Sequence, residues 1–152
     1  SLNNVHIVEF IKTFLSGSAN SLKNAQEEKA WGEPPGGLFR GDDPHYGHFK
    51  ADIGFFLDAA EIISLAFPGA TCQPGELSVI SWVLPQTAAT KQDQRKMRRY
   101  AAKRWARARN FGEEADLEFA RRLVALLGQH GHEAAAPFQF LRMRAVPDSR
   151  AL

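Results

Sequence analysis

Nine Lys/Arg residues and a single acid, Asp93, lie between Lys91 and Arg109. The stretch "KQDQRKMRRYAAKRWARAR" therefore carries +8 in a chain of formal net charge +2, and the other residues sum to −6. Cations at this density suit contact with phosphate oxygens, because each neutralised phosphate releases a counterion and an arginine fork meets two oxygens at once. Arg95, Lys96, Arg98, Arg99, Lys103 and Arg107 are the candidate phosphate-binding residues. The competing reading is a solvated helix face partnered by nearby acids such as Glu113 and Glu114, as charge runs on helices usually are. The stretch contains neither an aromatic RNP pattern nor a GXXG loop.

Other reactive residue types are sparse. The lone cysteine, Cys72, excludes an internal disulfide and any cluster or zinc site built from several thiolates of this chain. No base or helix dipole beside it is evident in the sequence, so Cys72 reads as an inert, partly buried thiol. In "DDPHYGH", Asp42, Asp43, His45 and His48 have metal-ligand chemistry, but no further ligand stands at a recognisable spacing. An Asp-Pro turn with exposed histidines is the plainer reading, and no metal site is expected. His130 and His132 flank Gly131 at a helix exit, where an imidazolium suits the negative end of the helix.

The elements that must position these residues follow from periodicity. A chain of 152 residues with 44% hydrophobic content fits one domain, residues 1–152, able to bury roughly two thirds of its unfolded surface. Ile7, Val8, Ile11, Phe14 and Leu15 recur at helical spacing, with Asn3 or Asn4 to cap and Gly17 to stop. From Glu27 to Phe49, glycine and proline forbid a long regular element, and Trp31, Leu38 and Phe39 are available to pin a covering loop to the core. Ala51–Phe67 fits a short strand through Phe56 or a helix from Asp58, Pro68-Gly69 ending either, and only its second half is read as helical. "LSVISWVLP" is a near-continuous apolar run, which predicts a central strand covered on both faces and ended by Pro85.

Met97, Tyr100, Ala101 and Trp105 share one stripe, which predicts a helix from about Gln94 to Ala108 with the six cations on its remaining arc. Asn110 and Glu113 resemble a capping box, so a new helix or sharp bend is expected near Asn110, closed by Gly128 and Gly131. "EAAAPFQF" is a second strand candidate, giving a strand–helix–strand crossover if the two strands are parallel. The segment 142–152 reads as an untied tail. The apolar runs fall short of membrane-spanning length and no signal pattern opens the chain, so a cytoplasmic protein with no membrane partner is expected.

"GATCQPGELSVISWVLPQTAATKQD", followed by "KRWARARNFGEEADLEFARRLVALLGQHGHEAAAP", resembles the N-terminal region of iron–sulfur proteins related to epoxyqueuosine reductase and the corrinoid-dependent reductive dehalogenases. The resemblance covers most of Gly69–Pro137 and, more loosely, the "GDDPHY" loop. It implies an α+β fold, a layered mixed sheet with flanking helices forming part of a nitroreductase-like corrinoid-binding half, and an oxidoreductase using cobalamin and a [4Fe–4S] cluster in the full-length protein. The ferredoxin-like half needs Cys-x-x-Cys-x-x-Cys runs, which this chain lacks, so it reads as an N-terminal module or a truncated relative, binding neither cofactor alone.

The resemblance implies that a ligand approaches the C-terminal end of the 77–84 strand, where Gln86 and Thr87 follow Pro85. With Trp82 and Trp105, whose indoles are able to stack on a flat cofactor, these are the candidate cofactor-binding residues, although both tryptophans also suit a core. The resemblance assigns no catalytic residue. The family's link to a tRNA-acting reductase makes tRNA a candidate partner for the 91–109 segment, and the alternative function is a non-catalytic RNA-binding module. Self-association through exposed apolar surface is the third reading.

Overall fold

The computed structural model describes residues 3–139, and among them the fold is α+β: five α-helices and one two-stranded antiparallel sheet. Helix α1 spans Asn4–Ser16. Asn3 caps it by accepting the His6 N–H, and Gly17 closes it with an N–H bond to the Phe14 carbonyl. Strand β1 is Gly36–Arg40, and β2 is Ser78–Trp82. The two pair antiparallel, flanked by bonds from Val83 N–H to Pro35 O and from Gly41 N–H to Leu77 O.

Helix α2, Pro44–Asp52, starts on an Asp43 cap with proline in its first turn, where the missing N–H costs nothing. Helix α3, Ala59–Ala66, begins at a full capping box, with Asp58 and Glu61 each accepting the other's backbone N–H. The expected start at Asp58 is thus found. Helix α4 is Ala88–Lys96, and α5 runs without interruption over the 27 residues Lys103–Gln129. Short 3-10 turns occupy Pro74–Glu76 and Pro137–Gln139. Gly69 and Gly131, both at positive φ, make the turns after α3 and α5 that L side chains resist.

Several expectations are corrected. The 77–84 run is not a central strand: β2 has one strand partner among the described residues, and Ser78, Ser81 and Val83 are exposed. Residues 133–136 form no strand. Three alanines have little strand preference, Pro137 lacks an N–H for a ladder, and Phe140 onward lies outside the described residues, as does the expected tail 142–152. No parallel crossover unit exists among the described residues, and no mixed sheet.

The predicted 94–108 helix is broken at 97–102. Continued as a helix, Arg95 would lie against Arg98 and Arg99, and Lys96 against Arg99, like-charge pairs that oppose helix formation. The bend expected near Asn110 is absent, because α5 passes straight through it with Ala108, Gly112 and Ala115 all buried.

The chain divides into two compact units, one of Ser1–Leu38 with Ile80–Leu126, the other of Phe39–Val79 with the chain from Leu127 on. In the first, Ile7, Ile11 and Leu15 of α1 and Phe119, Ala120 and Leu123 of α5 are buried with Leu22 and Trp31. Phe119, with no exposed surface, has the Phe10, Phe14 and Trp82 rings around it, the last edge-on at 4.7 Å between centroids. In the second, Tyr46 and Phe49 of α2 pack against Phe56. Lys50 bridges both carboxylates of the α3 cap, at 3.1 Å from Asp58 and 2.7 Å from Glu61. No helix among the described residues is long and apolar enough to cross a membrane.

Candidate functional site

The basic segment forms a corner between α4 and α5 in the first unit. Thr87 caps α4, its hydroxyl accepting the Thr90 N–H, and Thr90 is fully buried. At the far end Met97 is extended, its N–H on the Gln94 carbonyl. The Gln94 side-chain oxygen then reaches across the break to accept the N–H of Ala102, which is buried. The break is therefore tied at both ends by one residue.

Behind the corner, Arg104 is shared by two carboxylates: its Nε donates to Asp93 at 2.9 Å and an Nη to Glu28. Glu28 is in turn gripped by Asn24, whose amide donates to it at 2.7 Å and whose carbonyl accepts the Glu28 N–H. The Arg104 hydrogen bond, with that of Asn24, holds the Glu28 carboxyl below the usual glutamate range, and the same carboxyls raise Arg104 further above its ordinary value, Glu28 first. Arg107 donates to the carbonyls of Leu22 and Lys23. Lys23 binds Glu114 at 3.1 Å and lies over the Phe111 ring. Glu28, Asp93, Arg104, Arg107, Lys23 and Lys103 are among the residues that line a cleft of about 470 Å³.

The six candidate phosphate ligands thus separate. Arg107 has its donors on backbone carbonyls, so it positions the 22–28 loop. Arg95 and Lys96 end α4, where positive charge suits the helix dipole. Arg98 and Arg99 stand in the break, and Lys103 opens α5. Those five are exposed and make no ion pair with a described residue. Of the acids expected to partner the basic segment, Glu113 pairs with Arg109, the last of its nine cations, whereas Glu114 binds Lys23.

Of the four candidate cofactor residues, Trp82 and Thr87 have their side chains engaged in the fold. Trp82 stacks edge-on against Phe119 and donates its indole N–H to Asp116 at 2.5 Å. The Gln86 backbone forms an isolated antiparallel bridge with Trp31, and Thr87 is the α4 cap. Trp105, expected on an inward stripe, is half-buried beneath the Arg109 guanidinium. Its stripe partners Met97 and Tyr100 are exposed in the break.

In the second unit, Asp43 caps α2 and lies 2.8 Å from His45 Nδ1, while Asp42 binds Arg40. No group of three or more His, Cys, Asp or Glu among the described residues is arranged to hold a metal ion. Sequence reading missed the Glu28–Arg104–Asp93 network, whose members lie up to 76 positions apart. A local signal does exist for half of it, since the Asn24–Glu28 spacing suits a loop closed by its own side chains.

Comparison with protein-family models, with curated proteins and with solved structures gives no match.

Proposed function

We propose that the chain is an N-terminal module of an oxidoreductase similar to epoxyqueuosine reductase and its corrinoid-dependent relatives, supplying one wall of a cofactor pocket of nitroreductase-like shape. What supports the reading is an order. The quoted pieces fall in succession on the Pro68-Gly69 turn, β2, the arginine-rich corner, the long α5 and the Gly131 turn.

Neither cofactor fits this chain's residues alone. A [4Fe–4S] cluster takes four thiolates and the sequence holds Cys72 only. The Trp82 indole and the Thr87 hydroxyl are committed to packing and capping, and one wall buries too little of a ligand for tight binding. Anaerobic iron–sulfur reconstitution is therefore expected to leave no stable cluster on this chain, and cobalamin titration to give weak binding or none. Reading the message beyond the Leu152 codon tests the assignment itself. Cys-x-x-Cys-x-x-Cys runs there support it, and a stop codon counts against it.

A second reading, RNA contact by the α4–α5 corner, is favoured by one specific observation: Arg95, Lys96, Arg98, Arg99 and Lys103 are exposed without ion-pair partners among the described residues. Binding to tRNA should weaken steeply with salt, each neutralised phosphate adding roughly 0.7 to 0.9 to the log–log slope. Arg98→Ala with Arg99→Ala should lower the slope by about one to two such units. An unchanged slope in the double variant makes the corner a solvated face. Self-association would draw on exposed Phe55 and Leu65, and sedimentation over a wide concentration range tests it.

A further inference from the structure

Tyr100 is the least explained aromatic residue of the corner. It is 75% exposed and takes part in no ring stacking, cation–π contact or hydrogen bond with a described residue. Its exposure beside the basic residues leaves a ring face open to an external partner at the same place as the unpaired charge. Its setting is not a loose loop. The segment 97–102 is tied at both ends by Gln94, Ala102 is buried, and the next residues are fixed by the Arg104 bonds to Asp93 and Glu28. Arg98 and Arg99 precede the ring and Lys103 follows it, all exposed.

We propose that Tyr100 is a stacking platform for an unpaired base of single-stranded RNA, with Arg98, Arg99 and Lys103 on the flanking phosphates. The inference rests on the RNA reading above and adds to it a preference. A base inside an A-form duplex hides its face, whereas a base in a loop or an end offers it, and stacking on an aromatic side chain tolerates any base. Charge alone supplies no such distinction, because both forms present phosphates. A backbone segment tied at both ends loses little freedom on binding, which leaves mainly the tyrosine side chain to be ordered.

The test is fluorescence anisotropy with a labelled single-stranded oligoadenylate and a labelled RNA duplex of equal length, at low salt and along a salt series. The single strand should bind more tightly than the duplex. Tyr100→Ala should weaken single-strand binding on the order of ten-fold. It should leave the salt slope unchanged, because no phosphate contact is lost, and Tyr100→Phe should bind like the parent. Arg98→Ala with Arg99→Ala should instead lower the slope. Tyr100→Ala binding as well as the parent, or duplex binding as tight as single-strand binding, overturns the stacking role while leaving RNA contact in place. Absence of RNA binding by the parent chain at low salt overturns both. Since Tyr100 is largely exposed and has no ring contact or hydrogen bond with a described residue, the alanine variant should keep the parent's circular dichroism and melting midpoint, which keeps its affinity interpretable.

Discussion

Single side chains close the irregular parts of this fold, and Asn20 closes the most. It is buried after α1, its carbonyl accepts the N–H groups of Ala30 and Trp31 at 2.9 Å each, and its amide donates to the Trp31 carbonyl. Those bonds seat Trp31, whose own indole N–H reaches the Leu15 carbonyl. Asn20→Ala would strand buried backbone groups, and a loss of about 1–3 kcal/mol in urea unfolding is expected. A smaller loss than from an exposed control such as Lys12→Ala would contradict the account. Glu28 acts at the same scale through charge. Its carboxyl is depressed by Arg104 and then Asn24, so its stabilisation is present above the unfolded glutamate pKa and lost as pH falls through the lower folded value. Asp42, Asp43 and Asp58 are depressed as well and share the acid limb. The stability gap between the parent and Glu28→Gln should therefore be widest near neutrality and close in acid. A gap that stays constant with pH would exclude the linkage.

At the scale of elements, α5 carries a glycine it does not need. A Cβ built at Gly112 would stand 3.8 Å from Leu84 and 4.0 Å from Trp31, ordinary contact distances, inside a continuous helix. Gly112→Ala should raise stability by about 0.5–1 kcal/mol, measured as an upward shift in the melting midpoint. Gly41 is the opposite case. A Cβ there would meet the Pro74 carbonyl at 2.5 Å and Leu77 Cβ at 2.9 Å, so alanine must displace backbone and destabilise. Elements whose signals are local were legible in the sequence: α1 from Asn3 to Gly17, α3 from its Asp58 cap, and the core of β2. The α4–α5 corner was not. Met97, Tyr100 and Trp105 satisfy helical spacing, and periodicity takes no account of four neighbouring cations that repel along a helix face. Asn110 and Glu113 carry the residue types of a cap, but a cap needs a non-helical residue, and the buried Ala108, Gly112 and Ala115 keep that turn helical. The basic residues of the candidate site were legible as charge, whereas the network behind them depends on partners distant in sequence.

For the molecule as a whole, the uneven distribution of buried side chains predicts uneven local stability. The first unit buries apolar residues from α1, α5 and the 22–31 segment, and each fully buried large side chain is worth about 1.5–3 kcal/mol. In the second, Ile62 and Ala136 are the buried hydrophobic residues among those described, α2 buries none, and Phe55 is 86% exposed. The ion pairs of Lys50 are part-exposed and contribute little to offset this. Segments with few buried contacts open locally without waiting for global unfolding. Native-state hydrogen exchange should therefore find the amides of Ile11–Leu15 and Phe119–Leu123 exchanging only through global unfolding, with a denaturant dependence equal to that of equilibrium unfolding. The amides of α2 and α3 should exchange faster and with a shallow dependence, the mark of small openings. Equal protection in the two sets would mean that burial does not set local stability here, and that α2 and α3 are held by contacts other than those described.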